Sequence, residues 1–404
     1  MRIAYVCADP GVPVFGRKRG ETRVKGCTIH VQEMIRAFRG LGARVELFAT
    51  CAEGPPPRDL SDLPVHQLPA TSAAEPAQRE RAALAANNGL RAALEHAGPF
   101  DLVYERYSLW SFAGMRYARD SGVPGLLEVN APLIEEQIEH RVLVDRPAAE
   151  GVMERVFANA SRLIAVSQGV ATYLERQPGA AGRVLIVPNG VDPDRFRPGL
   201  PASVPKRPGG FTVGFVGALK PWHGLPNLIQ AFAELHRRAP AARLLIVGDG
   251  PEGGRVADDL SRRGLICQAD LTGSVEPAAI PGLLASMDVA VAPYPALSGF
   301  YFSPLKVYEY MAAGLPVVAS RIGQLDGLIE DGVDGLLYPA ENPAALAEAL
   351  DELRLEPELR DRLGRNARAT ILRGHTWEAA ARRVLHAVDL EPERRQLAAV
   401  GGAR

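Results

Sequence analysis

The stretch FYFSPLKVYEYMAAGLPVVAS, residues 300–320, decides how this chain is read. Ser303 followed by Pro304 predicts a helix start, with a hydroxyl N-cap and a proline at the first helical position, where no N–H is missed. Gly314 followed by Pro316 predicts its stop. The first turn of a helix favours acidic residues, because its free N–H groups carry partial positive charge. This one carries Lys306. An i,i+3 ion pair with Glu309 on a surface helix is worth only about 0.2–0.5 kcal/mol, too little to explain a cation there. A bound anion does explain it. Phosphates at this N-terminus would face backbone N–H groups and Lys306 together, and Glu309, one turn deeper, would accept from hydroxyls such as a ribose pair.

Outward from that helix, short β-branched runs alternate with helical patterns in both directions. RIAYVCA, the helical IHVQEMIRAFRGLG and RVELFAT open the chain, followed by FDLVYER, VPGLLEVN, RLIAVS and RVLIVPNG. After Asn189 comes GVDPDRFRPGLPASVPKRPGG, dense in Pro, Gly and Arg, and then the pattern restarts with FTVGFVGA, ARLLIVGDG, DVAVAPYP, PVVAS and GLLYP. Such alternation predicts parallel sheets with crossover helices. The expected organisation is two Rossmann-like α/β domains facing across a cleft, with ligand at the carboxyl ends of the strands. Their bounds are read as 1–192 and 211–372, joined by a linker at 193–210. A closing amphipathic helix, HTWEAAARRVLHAV, and a frayed tail make up 373–404.

Composition narrows the class. The 404 residues are 47% hydrophobic and 23% charged, those of a soluble globular protein, and the net charge of −1 favours no nucleic-acid partner. Cys7, Cys27, Cys51 and Cys267 are scattered without a CxxC pair, so they read as reduced, mostly buried thiols of a cytoplasmic protein. MRIAYVCADPG is a strand running into a turn, not a secretory signal, and no stretch approaches a membrane span. Peripheral contact with the inner face of a membrane stays open. No HExxH or paired Cys/His spacing is present, so no metal and no cofactor are expected.

Three further stretches carry chemistry. LLIVGDGPEGG contains a G-x-G-x-x-G match at Gly248, Gly250 and Gly253, but Pro251 interrupts it and it opens the second βα unit of its half; a tight turn after a strand is the simpler reading. In GFVGALKPWHG a strand ends at Gly217, a loop carries Lys220 and His223, and a helix begins near Pro226. Such a loop can offer N–H groups and a cation to phosphate. In GLLEVNAP, Glu128 shares the strand's inward alternation and requires a ligand-facing edge or a buried cation, for which Arg106 in YERYSL is the partner in view. The loop FGRKRGETRVKG carries Arg17, Lys18, Arg19, Arg23 and Lys25, a solvated charge run or a surface for an anionic acceptor group; its Gly26 requires close backbone approach. His30, read in the first turn of the following helix, suits a structural role as well as a catalytic one.

SPLKVYEYMAAGLPVVAS and its run-on IGQLDGLIEDGVDGLLYP resemble the signature of the retaining glycosyltransferases of the GT-B fold, family-four type. The likeness extends over nearly the whole chain, through KGCTIHVQEMIRAFRGLGARVELFAT, VPNGVDPDRF, FVGALKPWHG, LLIVGDGPE, LTGSV ending at Val275, and MDVAVAPY. The final TWEAAARRVL resembles the helix that crosses back to the N-terminal domain. The family's pair of glutamates falls on Tyr301 and Glu309, so this chain keeps the ribose-binding carboxylate and lacks the one that grips the donor sugar. The family's glycine falls on Pro304, its loop Arg and Lys on Ala218 and His223, and a sugar-facing histidine on Asn130. Lys220 and Lys306 are then the candidates for compensating charge. Asn130 can still bond a sugar hydroxyl, or serve as an Asx turn before Pro132.

The resemblance implies a retaining, hexosyltransferase-type enzyme of carbohydrate biosynthesis, moving a sugar from a nucleotide-diphosphate donor to a hydroxyl acceptor without metal. Lys306, Glu309 and Asn130 would act at the reacting centre. Gly217, Lys220, His223, Gly250, Val275, Tyr301, Ser303, Pro304 and Leu305 would hold the donor, and Gly26, His30, Arg106 and Glu128 would lie on the acceptor side. A nucleotide-sugar epimerase of the same architecture and a dinucleotide-dependent oxidoreductase using Gly248, Gly250 and Gly253 are the rival readings.

Overall fold

A computed structural model of the chain describes residues 1–16, 24–69, 75–206, 209–297 and 299–390. The charged positions Arg17, Lys18, Arg19 and Arg23 and the tail from Glu391 lie outside the described residues. The chain divides into two compact units. The first holds Met1–Asn189, Tyr301–Ser303 and the segment from Trp377; the second holds Gly190–Phe300 and Pro304–Thr376.

In the first unit, strands β1 (Arg2–Cys7), β2 (Arg44–Ala49), β3 (Val65–Gln67), β4 (Leu102–Arg106), β5 (Gly125–Val129), β6 (Arg162–Ala165) and β7 (Val184–Ile186) form one sheet. Its order is β3-β2-β1-β4-β5-β6-β7, every neighbouring pair parallel. Helices α1 (Gly26–Gly40), α2 (Pro76–Ala97), α3 (Ala113–Asp120), α4 (Leu133–His140), α5 (Arg146–Asn159) and α6 (Gln168–Glu175) supply the crossovers. The central strands are largely apolar because helices cover both faces, with Ile3, Ala4, Tyr5, Val6, Val103, Leu126 and Leu127 all fully buried; Glu105 and Arg106 on β4 and Glu128 on β5 are charged exceptions.

The second unit repeats the plan. Strands β8 (Phe211–Val216), β9 (Ala242–Val247), β10 (Ala269–Leu271), β11 (Val289–Ala292), β12 (Val317–Ser320) and β13 (Leu336–Tyr338) take the order β10-β9-β8-β11-β12-β13, again parallel. Around them lie α7 (Leu225–Arg238), α8 (Gly253–Arg262), α9 (Ile280–Leu284), α10 (Leu305–Ala312), α11 (Leu325–Leu328), α12 (Pro343–Leu355) and α13 (Pro357–Gly374). The last helix, α14 (Trp377–His386), packs on α1 of the first unit. In both sheets the strand order reverses beside the first strand, at β1/β4 and at β8/β11. Such reversals open a crevice at the carboxyl ends of the strands, where ligands bind in α/β sheets.

One expectation is corrected here. The cysteines are free, but only Cys7 is buried; Cys27 and Cys51 are half-buried and Cys267 is exposed. Among the described residues no helix is long and apolar enough to cross a membrane.

Candidate active site

The second unit builds its site from three strand ends and one helix. α10 starts one residue later than expected, at Leu305, with Pro304 as its N-cap and no side-chain cap. Ser303 does not cap because its hydroxyl is engaged elsewhere, accepting from the Asn189 N–H at 3.1 Å, while the Asn189 side-chain amide donates to the Ser303 carbonyl at 2.8 Å. The first turn of α10 therefore keeps its partial positive charge without a side-chain acceptor. Tyr310 anchors this helix to β8: its hydroxyl accepts from the Val216 N–H at 2.7 Å and reaches the Val216 carbonyl at 3.2 Å.

Lys306 is carried by that first turn, and its ammonium is buried with no hydrogen-bond acceptor among the described residues. It lies 4.2 Å from the Phe215 ring centroid and 5.1 Å from that of Tyr294, so two aromatic faces take the place of an anion. Burial draws its pKa down to about 7, against the upward pull of Glu309, which stands half-buried one turn further along without reaching hydrogen-bond distance. Gly217, at the end of β8, has φ +150°, and a Cβ there would stand 3.0 Å from the Lys306 Nζ; only glycine fits.

The neighbouring loops are zipped together. Gly248 has φ +134° and a Cβ on it would meet the Gly217 carbonyl oxygen at 2.0 Å. Leu219 donates to the Asp249 carbonyl at 3.0 Å and Glu252 donates to the Leu219 carbonyl at 3.1 Å, with Gly250 between them. The G-x-G-x-x-G match thus serves close loop packing, as the tight-turn reading expects. His223 bonds the Ala218 carbonyl through Nδ1, which must carry the hydrogen because a carbonyl only accepts. Its ring meets Tyr294 edge-on at 5.6 Å. Lys220 lies 5.6 Å from the Trp222 ring. Leu305 and Val275 are half-buried, the former heading α10 and the latter following β10.

The first unit gathers the other expected residues around one carboxylate. Glu128 on β5 is buried and meets Arg106 Nη1 at 2.9 Å, the pairing its burial requires. Asn130 donates to the same oxygen that Arg106 meets, while His30 Nε2 lies 2.8 Å from the other, to which the Tyr104 hydroxyl donates. Burial pushes this carboxyl up, but the charge of His30, with Arg106 and the Asn130 amide, draws it down to about 2. His30, expected in the first turn, is the fifth residue of α1, and its ring meets Trp377 edge-on at 5.1 Å. Gly26 is the first residue of α1. Asn130 is thereby tied to Glu128, not to a local turn.

Tyr301 also belongs to this unit. Its carbonyl accepts from the Ser167 hydroxyl at 2.6 Å, and its own hydroxyl donates to Glu136 on α4. Three partners were missed from the sequence: Phe215 and Tyr294, which box Lys306, and Glu136. Strand alternation points Phe215 inward, yet nothing local says that it meets a helix 91 positions on (215 against 306).

Family models match both units. Residues 210–355 match the model of "Glycosyl transferases group 1", and residues 25–190 that of "Glycosyl transferase 4-like domain". The D-inositol 3-phosphate glycosyltransferase of Frankia alni is 30% identical, across 89% of this chain and 93% of that protein. The chain belongs to the family-four type, GT-B glycosyltransferases. This glycosyltransferase is also similar to the 2-deoxystreptamine glucosyltransferase of Streptomyces kanamyceticus, at 28% identity over 81% of this chain and 89% of the relative. Its fold is shared with Anabaena HepE in complex with UDP, at a TM-score of 0.72 and 20% identity, covering 96% of this chain and 100% of that one. Sucrose-phosphate synthase from Thermosynechococcus elongatus follows at 0.70 and 21%, covering 99% and 100%.

Proposed function

We propose that this glycosyltransferase binds a nucleoside diphosphate sugar on the second unit and passes the sugar to a hydroxyl acceptor with retention of configuration, without a metal. The observation that carries this reading is the Lys306 ammonium, buried beside Gly217 on an uncapped helix start with no acceptor among the described residues. A buried cation costs several kcal/mol unless an anion meets it, and the diphosphate of a donor is such an anion. As the leaving diphosphate gains charge, Lys306, the first N–H groups of α10 and the loop with Lys220 and His223 would stabilise it. Glu309 would accept from the ribose hydroxyls, and Lys220 and Lys306 would make up for the cations absent at Ala218 and His223.

In a front-face displacement a departing phosphate oxygen takes the acceptor proton, so no side chain need act as base. The Asn130 carbonyl oxygen would meet a sugar hydroxyl, its nitrogen being held by Glu128. Relatives named for inositol 3-phosphate and 2-deoxystreptamine support a small cyclic acceptor over a polymer.

Calorimetric titration with UDP, ADP and GDP, followed by transfer assays with the corresponding sugars in EDTA, tests the reading. One diphosphate should bind, Glu309→Ala should weaken it about tenfold, the value of one charge-assisted contact, and the product's anomeric coupling should match the donor's. Inversion, dependence on added divalent metal, or donor turnover without acceptor would each overturn the corresponding part.

A further inference from the structure

A cavity of about 520 Å³ opens in the first unit at the carboxyl ends of β1 to β5, under the first half of α2. It stands at the β1/β4 reversal of strand order, where this sheet type binds ligands, and its volume suits one or two sugar-sized rings. Its walls are fixed by buried polar groups. Asn87 accepts from the Phe112 and Ala113 N–H groups at 2.8 and 3.0 Å and donates to the Trp110 carbonyl at 2.8 Å. Glu80 accepts from the N–H groups of Val144 and Asp145 at 2.8 and 2.9 Å.

The groups presented to the cavity form a mixed set. Half-buried Asp9, Trp110 and Glu136 line it, together with buried Ser108, whereas the guanidinium-bearing Arg79 and Arg141 are more open to solvent. Glu136 is held in place by the Tyr301 hydroxyl. Carboxylates accept from hydroxyls or ammonium groups, an indole face covers the C–H face of a ring, and both repel or ignore a phosphate. The two arginines lie at the solvent side, and exposed ion pairs are worth little.

We propose that this cavity is the acceptor subsite and that it takes an unphosphorylated ring polyol, neutral or amine-bearing, with ring hydroxyls on Asp9 and Glu136 and one face on Trp110. The proposal rests on the transferase reading above and deepens it by naming the acceptor class.

The test uses the full chain with three probes of similar size: myo-inositol, 2-deoxystreptamine and myo-inositol 1-phosphate. Direct binding is measured by calorimetry with and without UDP, and transfer is measured from the donor sugar of whichever diphosphate binds. At least one unphosphorylated probe should bind and react at least tenfold better than the phosphate. Glu136→Gln and Trp110→Ala should each raise its acceptor KM tenfold or more while the nucleotide Kd stays within error, Trp110→Ala melting lower because the indole also packs on the core. Preference for the phosphate, failure of both unphosphorylated probes to bind, or an acceptor KM unmoved by both substitutions overturns the proposal. Failure of the transferase reading looks different: polyol binding would persist and remain sensitive to Glu136→Gln, but no diphosphate would bind and no sugar would move.

Discussion

The Lys306 ammonium stands 4.2 Å from the centroid of the Phe215 ring, at the first turn of a helix whose dipole opposes it. An aromatic face returns about 2 kcal/mol to a desolvated cation, less than the several kcal/mol that its burial costs. The free protein therefore carries a local deficit that an anion would relieve.

That deficit predicts a trade between stability and activity in Lys306→Met. The folded pKa is lowered from 10.5 to about 7, so the cost of burying the cation is present in full below pH 7 and vanishes above 10.5. The Met variant should melt higher than the parent at pH 6 to 7, and the gap should close towards pH 10. Its transfer should drop at least tenfold, in line with the loss of one charge-assisted contact of about 1.5–3 kcal/mol. Differential scanning fluorimetry and steady-state kinetics over a range of donor concentration read both sides. Wild-type kinetics in this variant would remove Lys306 from the donor site.

If a diphosphate meets this lysine as proposed, nucleotide binding should depend on pH. In the free protein the lysine loses its proton as pH rises through about 7, and a diphosphate beside it would restore the proton. Affinity for the nucleoside diphosphate should therefore weaken between pH 7 and 9, approaching tenfold per pH unit at the upper end. Titrations in buffers of different ionisation enthalpy should reveal proton uptake at pH 8 that disappears in Lys306→Met. A flat affinity profile across this range would mean that the ammonium does not meet the diphosphate.

Much of this architecture is legible in the sequence because the inner strands are buried on both faces. FTVGFV and ARLLIV stand out as mostly apolar runs, broken only at Thr212 and Arg243, and become the paired strands β8 and β9. The edge strands β3 and β10 escape notice, being three residues long, with Val65 and Leu271 exposed. Lys306 betrays itself by a local conflict with the helix dipole, and Glu128 by an acid in an apolar strand. Ser303 misleads, because the N–H that captures its hydroxyl comes from Asn189, 114 positions away. Glu136 is silent for the same reason: its partner Tyr301 lies 165 positions on.

Glu105, on the same strand as Arg106, is buried without a cation among the described residues, accepting from the Ser111 hydroxyl at 2.6 Å and the Met115 N–H at 3.0 Å. Burial outweighs those bonds and raises its pKa from 4.5 to about 7. The folded state then holds a proton that the unfolded chain releases, so its contribution is complete below pH 4.5 and is lost as pH rises through 7. Glu105→Gln keeps the shape, with the amide oxygen accepting from Met115 and the amide nitrogen donating to Ser111. Urea unfolding should find the variant more stable than the parent at pH 8 and near parity at pH 5. Equal stability at both values would show that the carboxyl is not desolvated as its burial implies.

Glu128 presents the opposite case. Its carboxylate is held at about 2 while the unfolded value is near 4.5, so the stabilisation is complete above 4.5 and is lost as pH falls towards 2. Removing the charge at neutral pH leaves the Arg106 guanidinium buried without its partner at 2.9 Å, a loss of about 3–5 kcal/mol. Glu128→Gln should therefore lower the urea midpoint strongly, whereas the paired change Glu128→Gln with Arg106→Met should recover part of the loss, since the guanidinium leaves together with its carboxylate and only the His30 imidazole still faces the amide. Neutral amide and thioether fill the space, and Tyr104 keeps an acceptor in the amide oxygen that the substitution supplies. Equilibrium unfolding of the two variants decides the matter: a double variant no more stable than the single one would show that the fold depends on the pocket's shape around Glu128 and not on charge balance.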